Sequence, residues 1–132
     1  MEKLMQRCML YSKCHRATIT SADLNYEGSL SLDPVLMKAC NWVEHEKIQV
    51  VNINNGERFE TYLINAETIG KGCLQLNGAA ARLGQVGDLV IIMSYIWLPE
   101  QQAKTWQPKI VCVNSNNQPE KQSVLKEPAL VN

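Results

Sequence analysis

The composition of this 132-residue chain is that of a single globular domain without a dominant charge. Hydrophobic residues make up 45% and charged residues 20%, and 13 basic side chains balance 13 acidic ones. This balance argues against a nucleic acid or an anionic membrane as the partner. No apolar run approaches the roughly 18 residues of a transmembrane helix, and the N-terminal residues lack the apolar core of a signal peptide.

The cysteine pattern argues against both a disulfide framework and a metal site. The five cysteines are odd in number, widely spaced and without a C-x-x-C pair. We therefore expect no metal and a cytoplasmic protein whose thiols are reduced and mostly buried. The cysteines are Cys8, Cys14, Cys40, Cys73 and Cys112.

The first predicted element is an extended segment over residues 7–20. Its alternation places Lys13 and His15 on one face together with Ala17 and Ile19. The opposite face would then carry Cys14, Arg16, Thr18 and Thr20.

A short helix is predicted after a turn and a brief strand. Residues 21–24 predict a turn or a single helical turn, and residues 29–32 a short strand. Asp33 as N-cap and Pro34 at the first helical position open a helix. Its apolar stripe of Leu36, Met37 and Cys40 ends at about residue 40.

The clearest local signal is a β-hairpin. Two β-rich stretches, residues 47–53 and 58–64, flank the turn at residues 54–57, which contains Asn-Gly. Period two places Arg58, Glu60, Tyr62 and Ile64 on one face, and Phe59, Thr61 and Leu63 on the other.

The remaining elements complete a mainly β chain. Turns are predicted at 70–72 and 84–88, strands at 73–76, 89–94 and 109–113, and a turn running into a short helix at 77–83. The polar segment 115–132 is expected to be poorly ordered. Six or seven short strands with short helices between them favour a small barrel over a parallel α/β sheet.

The dipeptide Gly28-Ser29 permits two interpretations. Its ordinary meaning is a turn, because glycine tolerates positive φ and serine can hydrogen-bond its own backbone. Alternatively, the serine hydroxyl attacks the preceding carbonyl and converts the amide to an ester. β-Elimination would then cut the chain and leave dehydroalanine, which hydrolyses to an N-terminal pyruvoyl ketone.

Six ordered stretches between about residues 5 and 108 resemble the pyruvoyl-dependent aspartate 1-decarboxylases. They are Lys13-x-His15-Arg16; Ala22-Asp23-Leu24-x-Tyr26-x-Gly28-Ser29; Asn52-x-x-Asn55-Gly56-x-Arg58-x-x-Thr61-Tyr62; Leu76-Asn77-Gly78-Ala79-Ala80-Ala81; Val86-Gly87-Asp88-x-Val90-Ile91-Ile92; and Thr105-Trp106-x-Pro108. The spacing between these blocks is nearly that of the family.

The resemblance implies a double-psi β-barrel that assembles as a homotetramer with active sites between subunits. It implies conversion of L-aspartate to β-alanine and CO2 for pantothenate and coenzyme A biosynthesis. The chain would be a zymogen that cuts itself into residues 1–28 and 29–132, with a covalent pyruvoyl group from Ser29 in place of pyridoxal phosphate. The substrate amine would form a Schiff base with that ketone. A maturation factor stays an open possibility.

The same resemblance implies roles for particular residues. Gly28 and Ser29 would form the cleavage site, and Tyr62 would be the proton donor. Substrate binding is implied for Lys13, Arg58, Thr61, Gly78, Ala79 and Ala80, with possible contributions from His15 and Asn77. The residues alone also fit structural roles: solvated surface cations for Lys13 and Arg58, a buried hydrogen bond for Tyr62, and a tight turn for residues 77–80.

Two alternatives to the enzyme are a non-catalytic barrel of the same ancestry, acting as a binding or assembly module, and a nucleic-acid-binding barrel. The first predicts that Ser29→Ala leaves biological activity intact. The second is disfavoured by the zero net charge and by the presence of only eight aromatic residues, one Phe, three Trp and four Tyr.

Overall fold

A computed structural model describes residues 5–124, which form a mainly β protein built on one mixed sheet. The strands are β1 Gln6–Thr18, β2 Ser21–Asp23, β3 Ser29–Leu32, β4 Lys47–Asn52, β5 Arg58–Asn65, β6 Leu74–Asn77, β7 Leu89–Pro99, β8 Lys109–Val113 and β9 Pro119–Val124. Between them lie the helices α1 Pro34–Ala39 and α2 Glu100–Ala103 and a 3-10 helix, Gly78–Arg82. The predicted mainly β class with short helices is confirmed, although nine strands replace the predicted six or seven.

The sheet order is β2-β6-β3-β5-β4-β7-β1-β8-β9. Three neighbouring pairs, β1–β8, β2–β6 and β3–β5, run parallel, and the others run antiparallel. Apolar side chains from most of the strands meet in one core, as expected for a small barrel. Its largest fully buried members are Ile19, Leu30, Leu32, Leu36, Ile48, Val50, Leu63, Leu74, Leu76, Val90, Ile92 and Val111.

The predicted alternation along β1 is wrong beyond His15. Pairing of β1 with β7 shifts register between Cys14 and Ala17, and Arg16 at this bulge has φ +65°. The extra residue brings Ala17 and Ile19 onto the buried side with Cys14, where strict alternation had separated them. Lys13 and His15 precede the bulge and are both half-buried.

Residues 21–23 form a strand, so the predicted turn or helical turn there is corrected. Ser21, Ala22 and Asp23 pair in parallel with Gln75, Leu76 and Asn77 of β6. Three residues carry too little pattern to indicate a strand by themselves, and the pairing is determined by β6. The turn follows this strand instead, at residues 24–25.

The hairpin and the first helix match their predictions. β4 and β5 pair antiparallel from Lys47 with Tyr62 to Val51 with Arg58. Along β5, Leu63 is buried while Arg58 and Glu60 are exposed, as the predicted faces require. α1 begins at Pro34 after an Asp33 N-cap, whose side chain accepts a hydrogen bond from Val35 N at 2.9 Å.

Asp33 also ties α1 to the turn before β6. Its carboxylate accepts hydrogen bonds from Gly70 N at 3.0 Å and Gly72 N at 2.7 Å. Burial alone would raise the pKa of Asp33, but backbone N–H donors of Gly70, Val35, Gly72 and Lys71 outweigh it and lower the pKa below its ordinary value.

Because the pKa of Asp33 is lower in the folded state, its stabilising effect is complete above the unfolded pKa and is lost as the pH falls through the folded value. We expect Asp33→Asn to reduce the free energy of unfolding at neutral pH by about 1–2 kcal/mol and to flatten its decline below about pH 4. Urea titrations at fixed protein concentration would measure both effects. Glu67→Gln, which neutralises an exposed carboxylate, is the control. An equally steep acid limb in Asp33→Asn would contradict the prediction.

The expectation that residues 115–132 are poorly ordered is wrong for residues 115–124. Residues 115–117 form a turn, and β9 pairs antiparallel with β8. Asn117 is 1% exposed, and its amide bonds Thr18 N, Thr18 O and Gly72 O, each at 2.8 Å. The polar composition of this segment therefore gave no indication that the Asn117 side chain is buried and hydrogen-bonds to Thr18 at the end of β1. Residues 125–132 lie outside the described part of the chain.

Gly72 packs against this turn, and we expect Gly72→Ala to be strongly destabilising. A Cβ at Gly72, where φ is +74°, would overlap the Asn116 carbonyl oxygen and lie 3.0 Å from the Asn117 Cβ. The free energy of unfolding should fall by about 3 kcal/mol. Gly70→Ala is a matched control, because φ is +83° there but nothing lies within 4 Å of the added Cβ. It should lose only about 1 kcal/mol. Equal losses in urea unfolding would refute the packing of the turn on Gly72.

All five cysteines are free, but the prediction that they are mostly buried holds only in part. Cys14 and Cys40 are buried, Cys73 and Cys112 are half-buried, and Cys8 is exposed. A hydrogen bond with Cys40, burial, and the neighbouring Cys40 and Cys112 thiols raise the pKa of Cys14. Cys14 is therefore a structural thiol.

Among residues 5–124, no helix has the length and apolar character needed to cross a membrane.

Candidate active site

The Gly28–Ser29 bond lies where a turn enters strand β3. The chain leaves β2 at Asp23 and, after five intervening residues, reaches Ser29, the first residue of β3. Gly28 is exposed, whereas Ser29 is only 1% exposed. The Ser29 hydroxyl donates a hydrogen bond to the Glu27 carbonyl oxygen at 3.1 Å. The hydroxyl next to the bond is thus held inside the protein in one orientation.

Asn77 is the side chain that meets this hydroxyl. It ends β6 opposite Ser29, is fully buried, and its Nδ2 donates to Ser29 Oγ at 2.9 Å. The same nitrogen donates to Ser31 Oγ at 2.9 Å, and Oδ1 accepts a hydrogen bond from Gln75 Nε2 at 2.6 Å. The Asn77 amide is therefore satisfied at both ends and directs an N–H group at Ser29.

Gly78 is pressed against the backbone of the cleavage site. It has φ +68°, and a Cβ there would lie 2.8 Å from both Cα and N of Gly28 and 2.9 Å from the Tyr26 carbonyl oxygen. A Cβ built on Gly28 itself meets nothing within 4 Å. At the cleavage site the steric need for glycine is therefore at Gly78 and not at Gly28. The 3-10 helix then carries an exposed Ala79 and a buried Ala80.

Tyr62 lies one strand away from Ser29. β3 and β5 are parallel with Leu30 beside Leu63, so the register one position earlier brings Tyr62 beside Ser29. The tyrosine is 37% exposed, and its ring meets that of His45 edge-on with centroids 6.2 Å apart. Thr61 pairs with Ile48 and occupies the other face of β5, as its alternation predicts.

Neither of the two predicted carboxylate-binding cations pairs with Ser29 in the strand register of one chain. Lys13 lies on β1, four strands from β3 in the sheet order. Arg58 begins β5, four residues from Tyr62, or roughly 13 Å along the strand. Among the side chains of residues 5–120, neither cation bonds to Ser29 or Asn77. Glu60 pairs with Lys47 at 3.3 Å and not with Arg58.

His15 is separated from the cleavage site. It lines a cavity of about 360 Å³ with Arg16, Cys112 and Glu120 among its walls. Burial, followed by the charges of Lys13 and Arg16, lowers the pKa of His15. Its buried Nδ1 has no hydrogen-bond partner among the described residues.

A second cavity of about 360 Å³ lies near the cleavage site. Tyr26, Ser31 and Gln75 line it, together with Asp23, Ile64, Asn65, Ala66, Glu67, Thr68 and Cys73. Tyr26 is 48% exposed. In residues 5–124 no group of three or more His, Cys, Asp and Glu side chains could hold a metal ion.

Ser31, Gln75 and Ser21 also lie at this site, although no sequence motif indicated them. Ser31 lies two residues after Ser29, and Gln75 two residues before Asn77, so period two would have placed each pair on one strand face. Ser21 Oγ donates to Gln75 Oε1 at 2.7 Å. Only the β2–β6 pairing brings Ser21 there.

Comparison with known proteins assigns the family. A family model described as aspartate decarboxylase matches residues 5–120. Three similar proteins are named aspartate 1-decarboxylase. The one from Caldicellulosiruptor saccharolyticus is 61% identical over 109 residues, 83% of this chain and 84% of the relative. The Thermoanaerobacter pseudethanolicus protein is 51% identical over 115 residues, 87% of this chain and 97% of the relative. The Campylobacter jejuni protein is 55% identical over 113 residues, 86% and 88% of the two chains. This chain therefore belongs to the aspartate decarboxylase family of enzymes.

Proposed function

We propose that this chain cuts itself between Gly28 and Ser29 and then decarboxylates L-aspartate to β-alanine and CO2, for pantothenate and coenzyme A biosynthesis. The observation that carries the proposal is the buried Ser29 hydroxyl, fixed between the Glu27 carbonyl and the Asn77 amide. A serine that served only a turn would not need a fully buried amide aimed at its oxygen.

The cleavage chemistry follows from these contacts. Ser29 Oγ adds to the Gly28 carbonyl carbon, the C–N bond breaks, and the proton moves to the released amine, which leaves an ester. Elimination then removes the Cα proton of residue 29 and breaks the Cβ–Oγ bond, the Cα–Cβ double bond forms, and Oγ departs as part of the Gly28 carboxylate. Asn77 Nδ2, 2.9 Å from Oγ, donates to the atom on which this negative charge develops. Residue 29 is left as dehydroalanine, and hydrolysis with loss of ammonia yields the pyruvoyl group.

The surroundings of residue 29 fit such a group. Because Gly78 has no Cβ, the Gly28 backbone can lie directly against it. The buried NH2 group of Asn77 is a hydrogen-bond donor at residue 29. A pyruvoyl carbonyl supplies the electron sink that decarboxylation of an α-amino acid requires. No pyridoxal phosphate or metal is part of the proposal.

Two carboxylates of the substrate need two cations, for which we propose Arg58 and Lys13. Thr61, Gly78, Ala79 and Ala80 would complete the binding site, His15 would help to orient the substrate, and Tyr62 would return the proton. The position of Lys13 on a strand four steps from β3 in the sheet order supports a site shared between copies. We accordingly propose a homotetramer.

Exposed aromatic groups on the sheet support that assembly. Trp97 is 65% and Tyr95 is 44% exposed, and both line a groove with Cys8 and Lys47. We also propose the double-psi form of the barrel and a cytoplasmic location, the latter supported by the five free thiols.

The test is the intact mass of purified protein incubated without any other protein. A 14.9 kDa chain should give pieces of roughly 3 and 12 kDa, from 28 and 104 of its 132 residues. The mass of the larger piece should correspond to a pyruvoyl group, and not a serine, at its N-terminus. CO2 release from L-aspartate should then exceed that from L-glutamate. A chain that stays whole and releases no CO2 would refute the proposal.

A further inference from the structure

We infer that Gln75, itself held by Ser21, positions the Asn77 carboxamide for the chemistry at Ser29, an inference that rests on the proposed function. The three side chains form one hydrogen-bonded line from β2 along β6, and Asn77 extends it to Ser29 on β3. Ser21 Oγ donates to Gln75 Oε1 at 2.7 Å, and Gln75 Nε2 donates to Asn77 Oδ1 at 2.6 Å. Gln75 touches no reacting atom, so its role is positioning.

The register makes this line a consequence of strand pairing. Ser21 pairs with Gln75 between β2 and β6, and Ser31 pairs with Gln75 between β6 and β3. Asn77 pairs with Ser29 two residues further along. Because alternate residues share a face, all these polar side chains lie on one side of three adjacent strands.

The hydrogen bond from Ser29 makes the Asn77 orientation matter. The Ser29 hydroxyl donates its hydrogen bond to the Glu27 carbonyl oxygen, so Ser29 Oγ acts as the acceptor for Asn77. An Asn side chain has nearly the same shape when its amide is turned by 180°, and only its partners decide which end faces Ser29. Turned, Asn77 would direct NH2 at the NH2 of Gln75. Gln75 can follow only if the Ser21 hydroxyl also changes from donor to acceptor, so the whole line would have to reverse together.

Ser31 gives the arrangement a second acceptor. Asn77 Nδ2 donates to Ser31 Oγ at 2.9 Å as well as to Ser29 Oγ. Maturation removes Oγ from residue 29, whereas Ser31 and Gln75 are unchanged by it. The Asn77 donor therefore stays directed at residue 29 before and after cleavage.

The first test is Gln75→Glu, which preserves shape but replaces the NH2 donor with a carboxylate that can only accept. Asn77 should turn its NH2 toward the new carboxylate and its oxygen toward Ser29. We expect the rate of cleavage, measured by intact mass over time, to fall about tenfold at neutral pH. This fall is equivalent to about 1.4 kcal/mol in the activation barrier. In the protein without the substitution, NOEs should join the Asn77 NH2 protons to the Ser31 Hβ protons. In the variant they should join them to the side chain at position 75.

The pH dependence of cleavage in Gln75→Glu distinguishes a reversed Asn77 amide from general damage to the fold. Protonation lets the introduced carboxyl donate to Asn77 Oδ1, so the rate relative to the unsubstituted protein should recover as the pH falls. Asp23, Glu67, Cys73 and Tyr26 are the titratable groups that line the same cavity. Negative charge on the two carboxylates disfavours ionisation at position 75 and moves the recovery toward neutral pH.

Two further variants complete the experiment. Ser21→Ala removes the bond that holds Gln75 and should slow cleavage by a smaller factor, with no recovery in acid. Gln101→Glu adds the same charge at an exposed position on α2 and should cleave at the unsubstituted rate. Unslowed cleavage of Gln75→Glu, or slowing that is unchanged by pH, would overturn the role of Gln75 and leave the proposed function standing. An unsubstituted chain that never cleaves would overturn the proposed function and this inference with it.

Discussion

Replacing Ser29 with alanine should leave a single species of 14.9 kDa and reduce CO2 release from L-aspartate by at least about a thousandfold. Without the hydroxyl there is no ester, no elimination and no pyruvoyl group. Two hydrogen bonds are lost, the one that Ser29 donates to Glu27 O and the one that it accepts from Asn77, but the fold should persist because Asn77 keeps its bonds to Ser31 and Gln75. We expect the free energy of unfolding to change by about 1 kcal/mol.

The control for this experiment is Ser115→Ala, which removes a hydroxyl from the exposed turn before β9. It should cleave and decarboxylate like the unsubstituted protein. Decarboxylation by an uncut Ser29→Ala chain would contradict the self-cleavage mechanism. Retention of the biological role without any decarboxylation would instead favour the binding-module alternative.

Gly78→Ala should reduce the rate of cleavage by more than about a hundredfold. The added Cβ would come within 2.9 Å of three backbone atoms, two of Gly28 and one of Tyr26, none of which is the flexible end of a side chain. The turn must therefore move away from Asn77, and a displacement on the order of 1 Å is enough to disrupt a reaction that depends on contact geometry. Intact mass over time would measure the rate.

Gly56→Ala is the control that separates the steric clash at Gly78 from the strain of a positive φ. Gly56 in the β4–β5 turn has φ +81°, but nothing lies within 4 Å of an added Cβ. Both variants should lose about 1 kcal/mol of stability from the left-handed backbone alone. Only Gly78→Ala should fail to cleave. If both variants cleave at the unsubstituted rate, Gly78 does not shape the cleavage site.

Elements with short-range chemical signals were predictable from the sequence. Asn55-Gly56 favours a hairpin, and Asp33-Pro34 begins a helix, because each depends on a few neighbouring residues. Elements defined by distant partners were not predictable. The bulge at Arg16 arises in the pairing of β1 with β7, and β9 forms against β8. A polar segment such as residues 114–118 looks unstructured until Asn117 is seen bonding Thr18 and Gly72.

By itself the sequence determined the family, the mainly β class and the short stretches that meet at the cleavage site, Gly28-Ser29 and Asn77-Gly78. These are properties of residue type and order, which motifs preserve. The tertiary structure alone decided that Asn77 donates to Ser29, that Gly78 and not Gly28 has no room for a Cβ, and that Gln75 holds the Asn77 amide. Each of these depends on strand register and on the direction of a hydrogen bond. The contacts of Asn77 with Ser29 and of Gly78 with Gly28 join residues about fifty positions apart, and nothing along the chain indicates which distant residues pair.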